Sequence, residues 1–237
     1  MNDRQAQILR GVVRQYIRAA RPVGSEQLAR CMNVEISSAT IRSALQELEE
    51  EGYLFQPHIS AGRIPTDMGY RYFVDTEPEV TISDEQCENL AEEFKQLATE
   101  YQRATRTASQ LLARMVQTVA VLSELESRSV HEAGLSALLE QPDEDIVEAV
   151  REASYVIDRA DSDVAELAND TKDRSAVYIG EEIPFFNAQH TSIVVRHIDA
   201  GPHGPLVLLI VGPKRMAYGR NKALLDAVVD ILQNKLL

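Results

Sequence analysis

Hydrophobic residues recur at helical spacing in three stretches near the start of the chain. The first stretch, residues 3–20, ends at an Arg-Pro-Val-Gly sequence that breaks a helix, and a second, shorter stretch follows. After a link over residues 33–36, the third stretch begins at Ser37 or Ser38, whose hydroxyl can accept from the free N–H groups of a first helical turn. It ends at Gly52, which tolerates the positive φ of a helix terminus. The pattern therefore predicts three short helices in succession.

Two strand patterns follow the third helix. Residues 53–55 predict a first strand, residues 58–62 a turn, and residues 63–65 a return strand. An aromatic-rich helical segment comes next. Two short helices joined by a turn and followed by a hairpin are the outline of a winged helix-turn-helix, so residues 1–75 are predicted to be a DNA-binding domain whose third helix enters a major groove.

The third helix and the hairpin carry polar side chains suited to DNA. Because Ile41 and Leu45 would face the core, Arg42 would face outward, where its guanidinium can donate two hydrogen bonds to guanine O6 and N7. Arg63 is expected at the tip of the hairpin with His58, Ser60 and Gly62, where it can enter a minor groove or hold a phosphate. The candidate DNA-contacting residues are Ser37, Ser38, Thr40, Arg42, Ser43, Gln46, His58, Ser60, Gly62, Arg63, Thr66 and Arg71.

Two of these assignments have a simpler alternative. Arg42 can lie on an ordinary solvated helix face, although the neighbouring hairpin favours the DNA interpretation. Arg63 can instead form a surface ion pair with Asp67 or Glu51.

Residues 76–125 are predicted to form a long helical linker, because apolar residues continue there at a spacing of three and four. Two interpretations of this seam stay open. The helix can pack against its own C-terminal domain, or it can form a two-chain coiled coil that serves for dimerisation. The seam comprises Leu90, Phe94, Leu97, Tyr101, Ala104, Ala108, Leu111, Met115 and Leu122.

The remaining residues, 126–237, show helix patterns and about three strand patterns, which predict a small mixed domain. The fold class expected for the chain is therefore α+β. Its parts are an N-terminal winged helix-turn-helix, a long connecting helix and a small C-terminal α/β domain.

Charge is distributed unevenly along the chain. Of the net charge of −13, residues 1–75 contribute nothing, because they hold nine arginines and nine acidic residues. The other residues carry 15 basic and 28 acidic side chains. The acidic part of the chain after residue 75 is repelled by DNA phosphates. Specific binding by the neutral residues 1–75 should therefore rest on contacts to bases rather than on net positive charge.

Other classes of protein find little support in the sequence. The amino-terminal segment is too polar for a signal peptide and no apolar run is long enough to span a membrane, so a cytoplasmic protein is expected. Cys31 and Cys87 lie far apart, and the histidines have no neighbours at ligand or triad spacing. We therefore expect no metal, no cofactor and no enzymatic activity.

Several motifs resemble the HrcA family, the heat-inducible transcription repressors of bacterial chaperone operons. They are PVGSEQL, SSATIR and QPHISAGRIPTDMGYRYFVD in the first 75 residues, and VYIGEE and GPKRMAYG downstream. The resemblance implies a dimeric winged-helix repressor with a GAF-like C-terminal domain. It also implies an inverted-repeat operator and a chaperonin that tunes repression. The chain differs from the family pattern at Ser43-Ala44, where Asn-Asp is usual, and at Ile59, where Thr is usual. It is also shorter than a typical member and lacks the inserted dimerisation domain.

The leading hypothesis is therefore a homodimeric repressor of heat-shock genes that occupies a palindromic operator. The alternative is a winged-helix regulator whose C-terminal domain senses a small-molecule effector, with residues 212–215 as a place where an anion can bind. A third hypothesis is a relative that has kept the DNA-binding head but no longer dimerises.

Overall fold

The computed structural model divides the chain into two compact units, Met1–Pro78 and Glu79–Leu237. The residues that it describes are 1–32, 37–97, 101–143, 145–168, 171 and 175–236. The link predicted over residues 33–36 lies outside them.

The first unit contains the three helices and the hairpin that the sequence predicts. The core of this unit is formed by one apolar stripe from each of the three helices. Leu9, Leu28 and Leu48 belong to these stripes and are fully buried. The elements are α1 (Asp3–Ala19), α2 (Ser25–Cys31), α3 (Ser38–Glu50), β1 (Leu54–Phe55), β2 (Ile64–Pro65) and α4 (Asp67–Thr76).

The hairpin of the first unit is held by the pairing of its strands and by a bridge to another turn. Strands β1 and β2 pair antiparallel, with Leu54 opposite Pro65. Immediately before β2, Arg63 and Val23 exchange two backbone hydrogen bonds of 2.9 Å, which tie the hairpin to the turn between α1 and α2. Gly62 makes this approach possible, because a Cβ at that position would lie 2.4 Å from the Val23 carbonyl carbon.

The second unit is built on a five-stranded antiparallel sheet in the order β4-β3-β7-β6-β5. An α+β fold is thus confirmed, but the expectation of about three strands is wrong. The two additional strands are β3 and β4, and β3 lies where the linker helix was expected to continue. The strands are β3 (Val119–Glu124), β4 (Ser129–Ala133), β5 (Ala176–Ile179), β6 (Thr191–Asp199) and β7 (Pro205–Pro213).

Helices cover both faces of this sheet. Val121 and Val195 share one buried cluster with Val156 and Leu167 of the helices on that side. Successive strand residues point to opposite faces, so Leu122 and its counterparts face the other side, where α6 and α10 contact the sheet. The helices are α5 (Asp84–Leu97), α6 (Tyr101–Val116), α7 (Leu135–Leu139), α8 (Ile146–Asp158), α9 (Val164–Ala168) and α10 (Tyr218–Leu236).

The expected long helix is two helices, α5 and α6, which pack against each other. The side chains of Glu93 and Arg114 form an ion pair between them. In one continuous helix these residues would be about 30 Å apart along the axis, too far for any contact.

The seam of α5 and α6 faces the interior of the second unit. Leu90, Phe94, Ala108 and Leu111 are at most 3% exposed, which supports packing within the chain and leaves these side chains unavailable for a coiled coil between two chains. The side chains of Leu97 and Tyr101 lie outside the described residues.

Candidate nucleic-acid interface

Helix α3 begins at a side-chain cap. The Ser37 Oγ accepts a hydrogen bond of 3.2 Å from the Thr40 backbone N–H, and it lies 2.9 Å from the Thr40 Oγ1. A serine cap of this kind satisfies one of the free donors of the first turn. Ser37 and Thr40, both predicted as DNA contacts, therefore also fix the point where the helix begins.

The next two turns of α3 present a polar face to solvent. Ser38, Arg42, Ser43 and Gln46 are all exposed, as predicted, while the apolar stripe of the helix is buried. Arg42 makes no hydrogen bond or ion pair with any residue that the structure describes. Its guanidinium is therefore available to a partner.

Two of the three acidic side chains of α3 are engaged elsewhere, while Glu50 accepts a 3.1 Å hydrogen bond from Gln46. The Glu47 carboxylate accepts a 2.7 Å hydrogen bond from the Gln5 amide, and Glu49 forms a 2.8 Å ion pair with Arg63. Residues 38–46 contain no acidic residue. Because the helix dipole adds partial positive charge at the amino-terminal end, the exposed face of α3 favours an anionic partner.

The loop of the hairpin is held by one side chain. The Gln56 amide donates to the carbonyl oxygens of Ile59, at 3.0 Å, and Ala61, at 2.7 Å. The Ala61 N–H also donates to the His58 carbonyl at 2.8 Å, and the Ser60 hydroxyl lies 3.4 Å from the His58 ring. The side chains of His58, Ile59 and Ser60 are exposed at the tip.

Arg63 does not occupy the tip of the hairpin, where it was expected. Its guanidinium is turned toward α3, where it pairs with Glu49, and its side chain is only 16% exposed. An ion pair of Arg63 is thus present, but the suggested partners, Asp67 and Glu51, are wrong. At this position Arg63 ties the hairpin to α3 rather than reaching outward.

Thr66 and Arg71, two further predicted contacts, also have roles inside the unit. The Thr66 hydroxyl caps α4 by accepting from the Gly69 N–H at 3.2 Å, and it donates to the Gly52 carbonyl at 2.7 Å. Arg71 forms an ion pair of 3.2 Å with Asp75. These contacts stabilise the helix behind the hairpin.

A groove of about 870 Å³ separates α3 from the hairpin loop. Arg42 and Gln46 line one wall, and Ile59 and Ser60 line the opposite wall. Helix α2 adds Arg30, an exposed residue that the sequence reasoning missed. The signal for Arg30 is its place in the last turn of the helix that packs beside α3. In helix-turn-helix proteins, the first helix of the motif crosses the sugar–phosphate backbone.

The turn at residues 212–215 in the second unit does not offer a free arginine. The Arg215 side chain donates to the Asp143 carboxylate at 2.6 Å and to the Pro142 carbonyl at 3.3 Å. It is 10% exposed. The charge of Arg215 is therefore already neutralised by Asp143.

Comparison with known proteins places the chain in a family. Residues 79–221 match the family model described as HrcA protein C terminal domain. Two curated relatives carry the name heat-inducible transcription repressor HrcA. The protein of Symbiobacterium thermophilum is 40% identical over 124 residues, which are 52% of this chain and 36% of that relative. The protein of Acaryochloris marina is 42% identical over 125 residues, 52% of this chain and 34% of that relative.

The match thus spans about a third of the length of these relatives. A crystal structure of a hypothetical protein at 2.2 Å resolution shares the fold, with a TM-score of 0.76 and 20% identity over 99% of both chains. The family model covers more than half of the chain. The chain therefore belongs to the HrcA family.

Proposed function

We propose that the chain is a transcription repressor of heat-shock genes and that it binds DNA through residues 1–78, which act as a winged helix-turn-helix. The observation that carries the proposal is the exposed face of α3, where Arg42 lies without a partner among the described residues. This face borders a groove whose other side is a hairpin loop held by hydrogen bonds from Gln56. The names of the curated relatives support the choice of repressor.

In this proposal the first two turns of α3 enter the major groove. Arg42 donates two hydrogen bonds to the O6 and N7 of a guanine. Gln46, one turn further along the same face, can pair with an adenine after exchanging its 3.1 Å hydrogen bond to Glu50. Ser38 and Ser43 contact nearby phosphates or bases.

The groove beside α3 has room for one sugar–phosphate strand. Arg42 faces that strand from one side, Arg30 lies at the wall formed by α2, and the loop residues close the other side. Contacts of this kind set the register of the protein on the duplex and carry little sequence information. The hydrogen bonds that distinguish one base from another are then made by α3.

Repression in this proposal requires two copies of the chain. A homodimer presents two α3 helices related by a two-fold axis, so its operator is an inverted repeat. The second unit, which we propose is GAF-like, supplies the surface that joins the copies. The chaperonin is the proposed modulator of repression, as the family resemblance implies.

Footprinting upstream of the host's own chaperone genes tests the function. We expect protection of an inverted repeat by the wild-type protein, and a change in that protection when chaperonin is added. Binding to fragments of scrambled sequence with equal affinity, at every salt concentration tried, would contradict the proposal.

A further inference from the structure

Ile59 stands at the apex of the hairpin loop with its residue 99% exposed to solvent. The other large apolar residues exposed in the first unit, among them Phe55 and Met68, are each 44% exposed. An aliphatic side chain kept wholly in water adds nothing to the stability of the fold, because burial is what makes such a side chain favourable.

The loop holds this side chain outward. The Gln56 amide donates to the carbonyl oxygen of the apex residue, Ile59, and to that of Ala61 two residues later. The loop is anchored at its base by the bridge between Arg63 and Val23. The apex is therefore preorganised, and little conformational entropy is lost when it inserts into a partner.

The surroundings of the apex favour a polyanion. Residues 52–66 contain no aspartate or glutamate, in a chain whose net charge is −13. Ile59 lines the same groove as Arg42 and Arg30, to which α2 also contributes Glu26, and it lies on the side formed by the hairpin loop. A surface that binds an apolar partner protein would have no need of the two arginines across that groove.

The groove also sets which part of the duplex the apex meets. Every sugar–phosphate strand of a duplex has the major groove on one side and the minor groove on the other. When α3 occupies the major groove and one strand fills the space beside it, the loop wall lies on the minor-groove side of that strand.

We propose that Ile59 is an apolar wedge that enters the minor groove and opens a base step beside the bases read by α3. This inference rests on the function proposed above. Side chains such as Ile between base steps bend the duplex toward the major groove. The energy of that bend depends on the step, and TA or CA steps open most easily. Ile59 thereby gives specificity at a position that makes no hydrogen bond.

The test compares the wild-type chain with Ile59→Ala and with the matched control Met68→Ala. Met68 is exposed in the same unit but does not line the groove. Both variants should fold, because neither side chain belongs to the core, and circular dichroism checks this. The DNA probes are two duplexes that carry the footprinted inverted repeat. They differ only at the base step that Ile59 is proposed to open, which is TA in one duplex and GC in the other. Donor and acceptor dyes at the duplex ends report bending.

We expect Ile59→Ala to bind the TA duplex on the order of tenfold more weakly, to bend it less, and to lose the preference for TA over GC. Met68→Ala should match the wild type. Wild-type affinity, bend and step preference in Ile59→Ala would overturn the wedge and leave the repressor proposal standing, with the apex then open to a protein partner. A wild-type chain that prefers no inverted repeat would overturn both.

Discussion

In the proposed complex, Arg42 is the side chain on which sequence reading by α3 depends. Replacing it with alanine should cost about 1–3 kcal/mol of binding free energy on the operator and relax the preference at one base position, because two hydrogen bonds to one guanine are lost. Titrations against a set of singly substituted operators measure both effects. The control is Arg4→Ala, which removes an exposed arginine of α1. An equal loss on scrambled DNA would make Arg42 a phosphate contact.

Arg63 should behave differently, because its charge is paired with Glu49 at 2.8 Å and largely removed from solvent. We expect Arg63→Ala to lower the free energy of unfolding of the first unit by about 1–3 kcal/mol, since the variant leaves the Glu49 carboxylate without its donor. Thermal unfolding of Arg63→Ala beside Arg63→Lys measures the effect, and lysine should restore part of it. Unchanged stability with weaker operator binding would return Arg63 to the DNA interface.

At the scale of elements, the position of the hairpin depends on the absence of a side chain at Gly62. A Cβ there would lie within 2.6 Å of three backbone atoms of Val23, whereas Gly24 has no atom near its Cβ position. Gly62→Ala should therefore cost about 1–3 kcal/mol, and Gly24→Ser should be close to neutral, because serine also suits the cap of α2.

Hydrogen exchange at the Val23 and Arg63 amides measures the effect of Gly62→Ala directly, because these two amides form the bridge. We expect both to exchange faster in Gly62→Ala than in Gly24→Ser. If the protection of both amides is unchanged, the hairpin does not depend on this contact.

The elements of the first unit were predictable because their signals are local. The exposed face of α3 follows from the spacing of Ile41, Leu45 and Leu48, and its start follows from the cap at Ser37. The role of Arg63 was not predictable, because its partner Glu49 lies on another element. An ion pair between two elements produces no regular spacing in the sequence.

The second unit shows where such signals fail. All six residues of β3 are buried, so the strand shows no alternation of polar and apolar positions and its apolar residues fit a continuing helical seam. Nothing marks the division between α5 and α6 either, because the sequence from 97 to 101, Leu-Ala-Thr-Glu-Tyr, contains no glycine or proline. Contacts between elements decide both features, as the Glu93–Arg114 pair shows.

At the scale of the molecule, the apolar seam of α5 and α6 is buried within the chain. The proposed dimer must therefore form through other surfaces of the second unit. The proposed dimer needs only that two α3 helices meet successive major grooves on one side of the duplex, about 34 Å apart or a multiple of that distance. This condition links dimerisation to the spacing between the two half-sites of the operator, which can be changed in synthetic DNA.

Changing the spacing between the half-sites should therefore separate a dimer from independent heads. Inserting five base pairs turns one half-site about half a turn away, while inserting ten restores its face of the duplex. We expect the five-base-pair insertion to weaken binding to the level of a single half-site, and the ten-base-pair insertion to recover much of the loss. Gel-shift titrations beside sedimentation of the unbound protein measure this. Equal affinity for all three spacings would mean that each copy binds alone. That result would favour the hypothesis of a relative that has kept the DNA-binding domain but does not dimerise.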